Sequence, residues 1–239
     1  MIPNQRHLFD IPADVVYMNC ASHSPLLRKS FEAGQQAVMR KAHPWGSFRE
    51  DAAGECETLR GLYARLIGAS ERDIAIVPST SYGIATAAAN LPVARGQKIV
   101  VLQDQFPSNY HAWVYLALDK GAELVTVPRP ADGDWTSAIL ERIDGGTAIA
   151  AVPPCHWTDG SLVNLQPIGE RCRAVGSAFV IDATQACGAR PIDVRKLRPD
   201  FLAASGYKWL LCPYTLSFLY AAPHRQNGRS LEHHRTNSA

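Results

Sequence analysis

From about residue 74 onwards, short apolar runs rich in Val, Ile, Leu and Ala alternate with longer segments that have helical spacing. This alternation is typical of a parallel β-sheet whose strands are joined by crossover helices. We therefore expect an α/β fold with a mostly parallel seven-stranded sheet and helices on both faces. The predicted strands are Ile74–Val77, Lys98–Leu102, Glu123–Val127, Ala148–Val152, Ala178–Ile181, Phe201–Ala204 and Leu216–Ala221.

Apolar residues at helical spacing predict helices between the strands. Several of these predicted helices end at a glycine suited to a left-handed helix cap. The predicted helices are Asp51–Ile67, Ile84–Asn90, Ser108–Asp119, Thr136–Ile143 and Ile168–Val175. Residues 1–70 are expected to form an N-terminal segment and helices that pack on a large domain, residues 71–223. Residues 224–239 are largely polar, lack apolar periodicity and are predicted to form a loose tail.

The composition is ordinary for a soluble globular protein, with 46% hydrophobic and 19% charged side chains. A formal net charge of +2 without any Lys/Arg run argues against nucleic acid and membrane surfaces as partners. The six cysteines include no CxxC pair, so neither a zinc site nor a disulfide framework is expected. No signal-peptide pattern or bilayer-spanning apolar stretch occurs, which predicts a cytoplasmic protein.

Polar and aromatic residues cluster directly after the carboxyl ends of several predicted strands. In an open parallel sheet these ends share one edge, where ligands bind. One binding site is therefore expected at this edge. The clusters are Ser79-Thr80-Ser81, Phe106-Pro107-Ser108-Asn109, His156-Trp157-Thr158-Asp159-Gly160, Asp182 with Gln185, and Ser205-Gly206-Tyr207-Lys208.

The most informative pair in these clusters is Lys208 and Asp182. Lys208 is flanked by Tyr207 and Trp209; desolvation there lowers its pKa and makes the amine nucleophilic toward an aldehyde. Asp182, on a neighbouring strand end, is placed to keep a pyridine nitrogen protonated, so that the ring withdraws electrons. The structural alternatives are a snorkelling side chain for Lys208 and a helix N-cap for Asp182. The pair favours pyridoxal phosphate (PLP) as the cofactor.

Neighbouring residues offer further contacts for such a cofactor. Hydroxyl and free N–H groups at Ser79-Thr80-Ser81 lead into a helix and suit a phosphate, although a plain N-cap has the same pattern. Phe106 precedes a proline, so its ring either stacks on the pyridine or lies in the core. Gln185 either donates to the phenolic oxygen or completes a capping box. His23 and His156 stay outside the predicted site, because a lone histidine is more often structural.

Together these motifs resemble the class V aminotransferase family of fold-type I PLP-dependent enzymes. That family includes cysteine desulfurases, selenocysteine lyase, kynureninase and isopenicillin epimerase-like proteins. The similarity runs from about Tyr17 to Pro223, nearly the whole chain. It implies the large-domain fold of that group, and a homodimer that acts on a small amino-acid substrate.

The resemblance also implies roles for individual residues. Lys208 would form the Schiff base with PLP and then shuttle a proton at the substrate's α-carbon. Asp182 would pair with the pyridinium nitrogen, Gln185 would contact the phenolic oxygen, and Phe106 would stack on the ring. The residues implied to hold the phosphate are Thr80, Ser81, Ser205 and Tyr207.

Some features depart from the family pattern. Family members continue into a smaller C-terminal domain that supplies the arginine for the substrate carboxylate, whereas this chain stops at Ala239. Cys212, Thr215 and Ser217 stand where relatives tend to have glycine. The leading function is a class V aminotransferase-like enzyme, and the alternatives are a truncated, catalytically impaired paralogue and a carbon–sulfur or carbon–selenium lyase of the desulfurase or selenocysteine lyase type. A generic nucleotide-binding domain is disfavoured, because no glycine-rich phosphate loop follows a strand.

Overall fold

The computed structural model describes residues 3–46 and 48–233 and contains a seven-stranded sheet with helices on both faces. The strands are β1 (Ile74–Val77), β2 (Lys98–Leu102), β3 (Glu123–Val127), β4 (Thr147–Val152), β5 (Ala178–Asp182), β6 (Phe201–Ser205) and β7 (Ser217–Ala221). The α-helices are α1 (Arg28–Ala42), α2 (Phe48–Ile67), α3 (Thr80–Asn90), α4 (His111–Lys120), α5 (Trp135–Leu140), α6 (Leu165–Val175) and α7 (Val194–Leu197).

The sheet is mostly parallel, as the sequence predicts. Its spatial order is β1-β7-β6-β5-β4-β2-β3. Strand β7 runs antiparallel to both of its neighbours, β1 and β6, and the other four pairs are parallel. Six of the seven described strands therefore point the same way, and their carboxyl ends lie at one edge of the sheet.

The core consists of two apolar layers, one on each face of the sheet. Side chains alternate between the faces along each strand, so Val100 and Leu102 of β2 join one layer while Ile99 and Val101 join the other. Helices α2, α5 and α6 cover the first layer, and α3 and α4 cover the second. Burial on both faces explains why the central strands are continuously apolar rather than alternating.

The element bounds differ from the predicted ones mainly in the helices. Helix α1 was not predicted, and none of its residues is buried in the single chain. Helix α3 begins at Thr80 rather than Ile84. The segment predicted as Ser108–Asp119 is divided into a 3₁₀ turn, Pro107–Asn109, and helix α4.

The segments before and after the sheet contact it in different ways. The last turns of α2 bury Tyr63, Ala64 and Ile67 in the first apolar layer. After β7, the main chain of Arg229 exchanges two hydrogen bonds with the side chain of Asn90. The predicted loose tail includes residues 234–239, which lie outside the described residues. In the described part of the chain, no helix has both the length and the apolar character needed to cross a membrane.

Candidate active site

A cavity of about 190 Å³ opens at the carboxyl edge of the sheet. Its walls come from the first turn of α3 and from the loops that follow β2, β4, β5 and β6. The strand-end clusters therefore converge on one place, as expected for a sheet of this topology. All eight residues of the predicted site line this cavity: Thr80, Ser81, Phe106, Asp182, Gln185, Ser205, Tyr207 and Lys208.

Lys208 is the basic residue of the cavity lining, and it lies in the turn after β6. The residue is only 5% exposed, and its Nζ lies 5.1 Å from the centre of the Phe106 ring and 5.8 Å from that of Tyr207. Burial lowers the pKa of the Lys208 amine, and the nearby Asp182 carboxylate partly opposes this shift. The amine is thereby closer to its neutral, nucleophilic form than an exposed lysine.

Gly206 makes the turn before Lys208 possible. A Cβ at this position would lie 2.7 Å from the carbonyl oxygen of Leu216 and 2.8 Å from the Cβ of Cys212. The Gly206 N–H donates to that same Leu216 oxygen, and its own carbonyl accepts from Cys212 N. Only glycine allows this close approach, so Lys208 is held against the sheet edge by tight main-chain packing.

Asp182 is the acidic residue of the lining and ends the apolar strand β5. It is 6% exposed, and its Oδ1 accepts a hydrogen bond from the main-chain N–H of Thr184 at 3.1 Å. Burial raises the pKa of the Asp182 carboxyl, whereas the hydrogen bonds from Thr184 and the charge of Lys208 lower it. Within the described chain Asp182 forms no ion pair, so the carboxylate retains acceptor capacity for a ligand in the cavity.

Hydroxyl groups gather in the part of the cavity wall near the start of α3. Thr80 Oγ1 lies 2.8 Å from Thr184 Oγ1 and 2.7 Å from Ser205 Oγ, and Ser81 Oγ donates to Ser108 Oγ at 2.8 Å. Among the described residues, no hydrogen-bond partner is found for the main-chain N–H groups of Thr80 and Ser81. Hydroxyls and free N–H groups at a helix N-terminus form an environment that favours an anion.

Aromatic rings form another part of the wall. The rings of Trp157 and Phe106 form a T-shaped pair, with a centroid distance of 5.3 Å and an interplanar angle of 88°. The indole N–H of Trp157 donates to the Asp104 carbonyl at 2.7 Å, and Asp104 has a left-handed φ of 53°. Phe106 and Trp157 both line the cavity and pack against each other there.

Tyr207 and Gln185 connect the cavity to the N-terminal segment. The carbonyl of Tyr207 accepts from both the N–H and the hydroxyl of Ser24. Gln185 donates from Nε2 to the Ala21 carbonyl at 3.1 Å and accepts from the indole of Trp209 at 2.9 Å. One N–H of the Gln185 amide thus remains for a ligand.

His156 lines the cavity, but its ring has a structural role. The ring is fully buried and stacks on Trp135 at 5.0 Å. Its Nε2 donates to the Gln103 carbonyl at 2.9 Å, and its Nδ1 lies 2.8 Å from the Thr158 hydroxyl. With both nitrogens engaged, His156 has no free group for chemistry. His23 lies outside the lining and contacts the rings of Tyr207 and Tyr214.

Several lining residues were not among the predicted site residues. They belong to the same strand-end clusters or adjoin them, so their position relative to the strands was the available signal. In the described part of the chain, no group of three or more His, Cys, Asp or Glu side chains is arranged to hold a metal ion. The additional lining residues are Ser79, Gln105, Ser108, Pro153, Cys155, His156, Trp157 and Thr184.

The fold and the cavity define an α/β protein in which a buried lysine and a buried carboxylate share one pocket at the carboxyl edge of the sheet. The family model described as aminotransferase class-V matches residues 26–231. The chain belongs to this family, whose members use PLP. The predicted family and fold class are thus confirmed.

Individual relatives agree with this assignment. The chain is 32% identical to an uncharacterized aminotransferase, YcbU, of Bacillus subtilis over 237 residues, covering 92% of this chain and 58% of that protein. It is 29% identical to isopenicillin N epimerase of Streptomyces clavuligerus, covering 89% and 55%. The apo structure of a cysteine desulfurase from Thermococcus onnurineus superposes with a TM-score of 0.81 at 26% identity, covering 92% and 56%. The chain thus spans little more than half the length of these relatives.

Proposed function

We propose that the cavity binds PLP and that Lys208 is the amine that bonds its aldehyde, in a class V aminotransferase-like enzyme acting on an amino acid. One observation carries this proposal. Lys208 and Asp182 are both buried, line the same cavity and influence each other's pKa. Burying two opposite charges without a direct ion pair costs several kcal/mol, roughly, which is readily understood if a ligand normally lies between them.

The residues present fit the chemical parts of PLP. An aldehyde requires a nucleophilic amine, which Lys208 provides, and a pyridine nitrogen requires an anion, which Asp182 provides. The flat ring finds the face of Phe106. The hydroxyl groups and free N–H groups at the start of α3 can donate hydrogen bonds to the phosphate. Tyr207, beside Lys208, and the remaining N–H of Gln185 offer two further donors.

When bound, PLP supplies an electron-withdrawing ring next to the substrate's α-carbon. The chain's own groups perform the other tasks. Asp182 stabilises positive charge on the ring nitrogen, because a buried carboxylate interacts strongly in a medium of low dielectric constant. The lowered pKa of Lys208 makes this amine easier to deprotonate than an exposed lysine, which suits it to accept and return a proton. Phe106 and Trp157 supply an aromatic, apolar part of the cavity wall.

Binding is tested by titrating the purified chain with PLP and following visible absorption of the lysine-bound cofactor. We expect saturable absorbance that Lys208→Ala abolishes. Lys98→Ala is the matched control, because Lys98 pairs with Asp144 and lies at the amino end of β2, away from the cavity. Equal spectra for the wild type and Lys208→Ala would contradict the proposal.

Turnover is a separate question, because groups around the substrate decide between transamination, carbon–sulfur cleavage and epimerisation. A panel of amino acids, including cysteine and selenocysteine, should change the visible spectrum of the PLP-loaded chain if it is an active enzyme. The impaired-paralogue alternative predicts PLP binding without any spectral response. This alternative was raised by the turn after Lys208, in which Leu211 and Thr215 have left-handed φ values of 57° and 64°.

We also propose that the chain forms a homodimer in the cytoplasm. The support for a dimer is exposed apolar surface on the N-terminal segment, where Val16, Met18 and Trp45 are each more than 80% exposed. Helix α1 likewise has no buried residue in the single chain, and an isolated helix of this length is marginal in water. Sedimentation equilibrium should give twice the chain mass, and a monomer at micromolar concentration would contradict the dimer.

A further inference from the structure

Three hydroxyl groups beneath the α3 end of the cavity form a connected chain with Thr80 in the middle. Thr80 Oγ1 lies within hydrogen-bonding distance of Thr184 Oγ1 on one side and Ser205 Oγ on the other, at 2.8 and 2.7 Å. Thr80 is 4% exposed and Ser205 is 6% exposed, so water has little access to replace these contacts.

Thr184 anchors one end of this hydroxyl chain. Its main-chain N–H donates to Asp182 Oδ1 at 3.1 Å, and its Oγ1 accepts from the main-chain N–H of Ser205 at 3.3 Å. These two bonds fix Thr184 between the ends of β5 and β6. Thr184 is thus the residue through which the carboxylate end and the hydroxyl end of the cavity are joined.

Thr184 sets the direction of the hydrogen bonds among the three hydroxyl groups. Three hydroxyls carry three protons, and the two links between them use two. Because Thr184 Oγ1 already accepts from Ser205 N, an arrangement in which Thr184 donates to Thr80, and Thr80 to Ser205, gives each oxygen one incoming donor. In this arrangement the Ser205 hydroxyl keeps its own proton free to donate to an anion.

We propose that Thr184 is a positioning residue that gives the cavity its preference for a phosphorylated cofactor. Thr184 acts through Thr80 and Ser205, whose hydroxyls it orients toward the anion. This inference rests on the proposed function, because it concerns how the same cavity distinguishes PLP from pyridoxal, which lacks the phosphate.

The experiment measures the dissociation constants of PLP and pyridoxal by absorbance titration. The variants are Thr184→Val, which keeps the shape and removes the hydroxyl, Thr184→Ser, which keeps the hydroxyl, and Ser205→Ala. Thr86→Val is the matched control, because the Thr86 hydroxyl makes one hydrogen bond, to the Tyr82 carbonyl, away from the cavity. Unfolding curves establish that each variant is folded, and Thr184→Ala replaces any Val variant that is not.

We expect Thr184→Val to reduce the preference for PLP over pyridoxal by about tenfold, the effect of one well-placed hydrogen bond to a charged group. Thr184→Ser should restore the preference, and Thr86→Val should not alter it. The double variant Thr184→Val/Ser205→Ala should lose no more than the larger single loss, because both changes remove the same donor.

Three outcomes would overturn the inference while leaving the proposed function intact. These are unchanged affinities for both compounds in Thr184→Val, an equal weakening of PLP and pyridoxal, and fully additive losses in the double variant. The second outcome would mean that Thr184 merely supports the structure. A wild-type chain that binds neither compound would instead overturn the proposed function, and this inference with it.

Discussion

Gly83→Ala is expected to weaken PLP binding by displacing α3 from the sheet. Gly83 lies in the first turns of α3, and a Cβ there would lie 2.9 Å from the Cβ of Ala203 in β6. Carbon atoms pack at about 3.5–4.0 Å, so the helix start must move by roughly 1 Å. The Thr80–Ser205 contact, now 2.7 Å, would then be stretched beyond the length of a hydrogen bond.

The energetic effect follows from two opposing contributions. Overpacking costs about 1–3 kcal/mol, and replacing a helical glycine by alanine returns about 1 kcal/mol. Urea unfolding should therefore show a net loss of about 1 kcal/mol, and the dissociation constant of PLP should rise about tenfold. Gly34→Ala in α1, where a Cβ would meet nothing within 4 Å, is the control and should be neutral or stabilising.

A compensating change tests the cause of this effect. In the double variant Gly83→Ala/Ala203→Gly the clash is removed, because the new methyl group occupies the space that Ala203 vacates. PLP affinity should recover even though a strand glycine lowers stability. If Gly83→Ala binds PLP as tightly as the wild type, or if Ala203→Gly does not restore binding, the start of α3 does not bind the phosphate as proposed.

Three further predictions concern other parts of the chain. Thr215→Gly should raise the free energy of unfolding by up to about 1 kcal/mol in urea titrations, because glycine adopts its φ of 64° without strain; a clear loss would refute this. Burial raises the pKa of Cys172 to about 12 and of Cys187 to about 11, above the ordinary 9.0. Because these thiols ionise more readily in the unfolded chain, the free energy of unfolding should fall from pH 9 to pH 12. Unfolding curves of Cys172→Ala should show a smaller fall over this range. Asp182→Asn should stabilise the PLP-free chain at neutral pH, because the raised carboxyl pKa marks an unfavourable buried charge. The same variant should bind PLP about tenfold more weakly. A variant with both higher stability and higher PLP affinity would contradict the role assigned to Asp182.

The sheet could be predicted closely because its five inner strands are short apolar runs, nearly every residue of which is buried. Strands β1, β2 and β3 have the predicted bounds, and β5 and β6 each extend one residue further, to Asp182 and Ser205. Apolar runs of four to six residues between turn-forming residues are too short for typical buried helices and therefore favour strands. The antiparallel direction of β7 was not predicted, because direction depends on the connection between strands and leaves no trace in the apolar pattern.

The helices and the site show where a sequence pattern is insufficient. Helix α1 was not predicted, and none of its residues is buried within the single chain, so no core contact marks it. The residues expected at the site do line one cavity, but Thr184 was overlooked, since its importance lies in contacts to Thr80 and Ser205 from distant elements. The partners of Gln185, a main-chain carbonyl and an indole, likewise arise only from the tertiary structure.

The most direct test of the account is to locate the bound cofactor on the chain. PLP is added to the purified protein at substoichiometric concentration, the complex is reduced with borohydride, and the modified peptides are identified by mass spectrometry. The account predicts a single modified residue, Lys208, and loss of the modification in the Lys208→Ala variant. Modification spread over exposed lysines such as Lys120 and Lys196, with Lys208 unmodified, would contradict it.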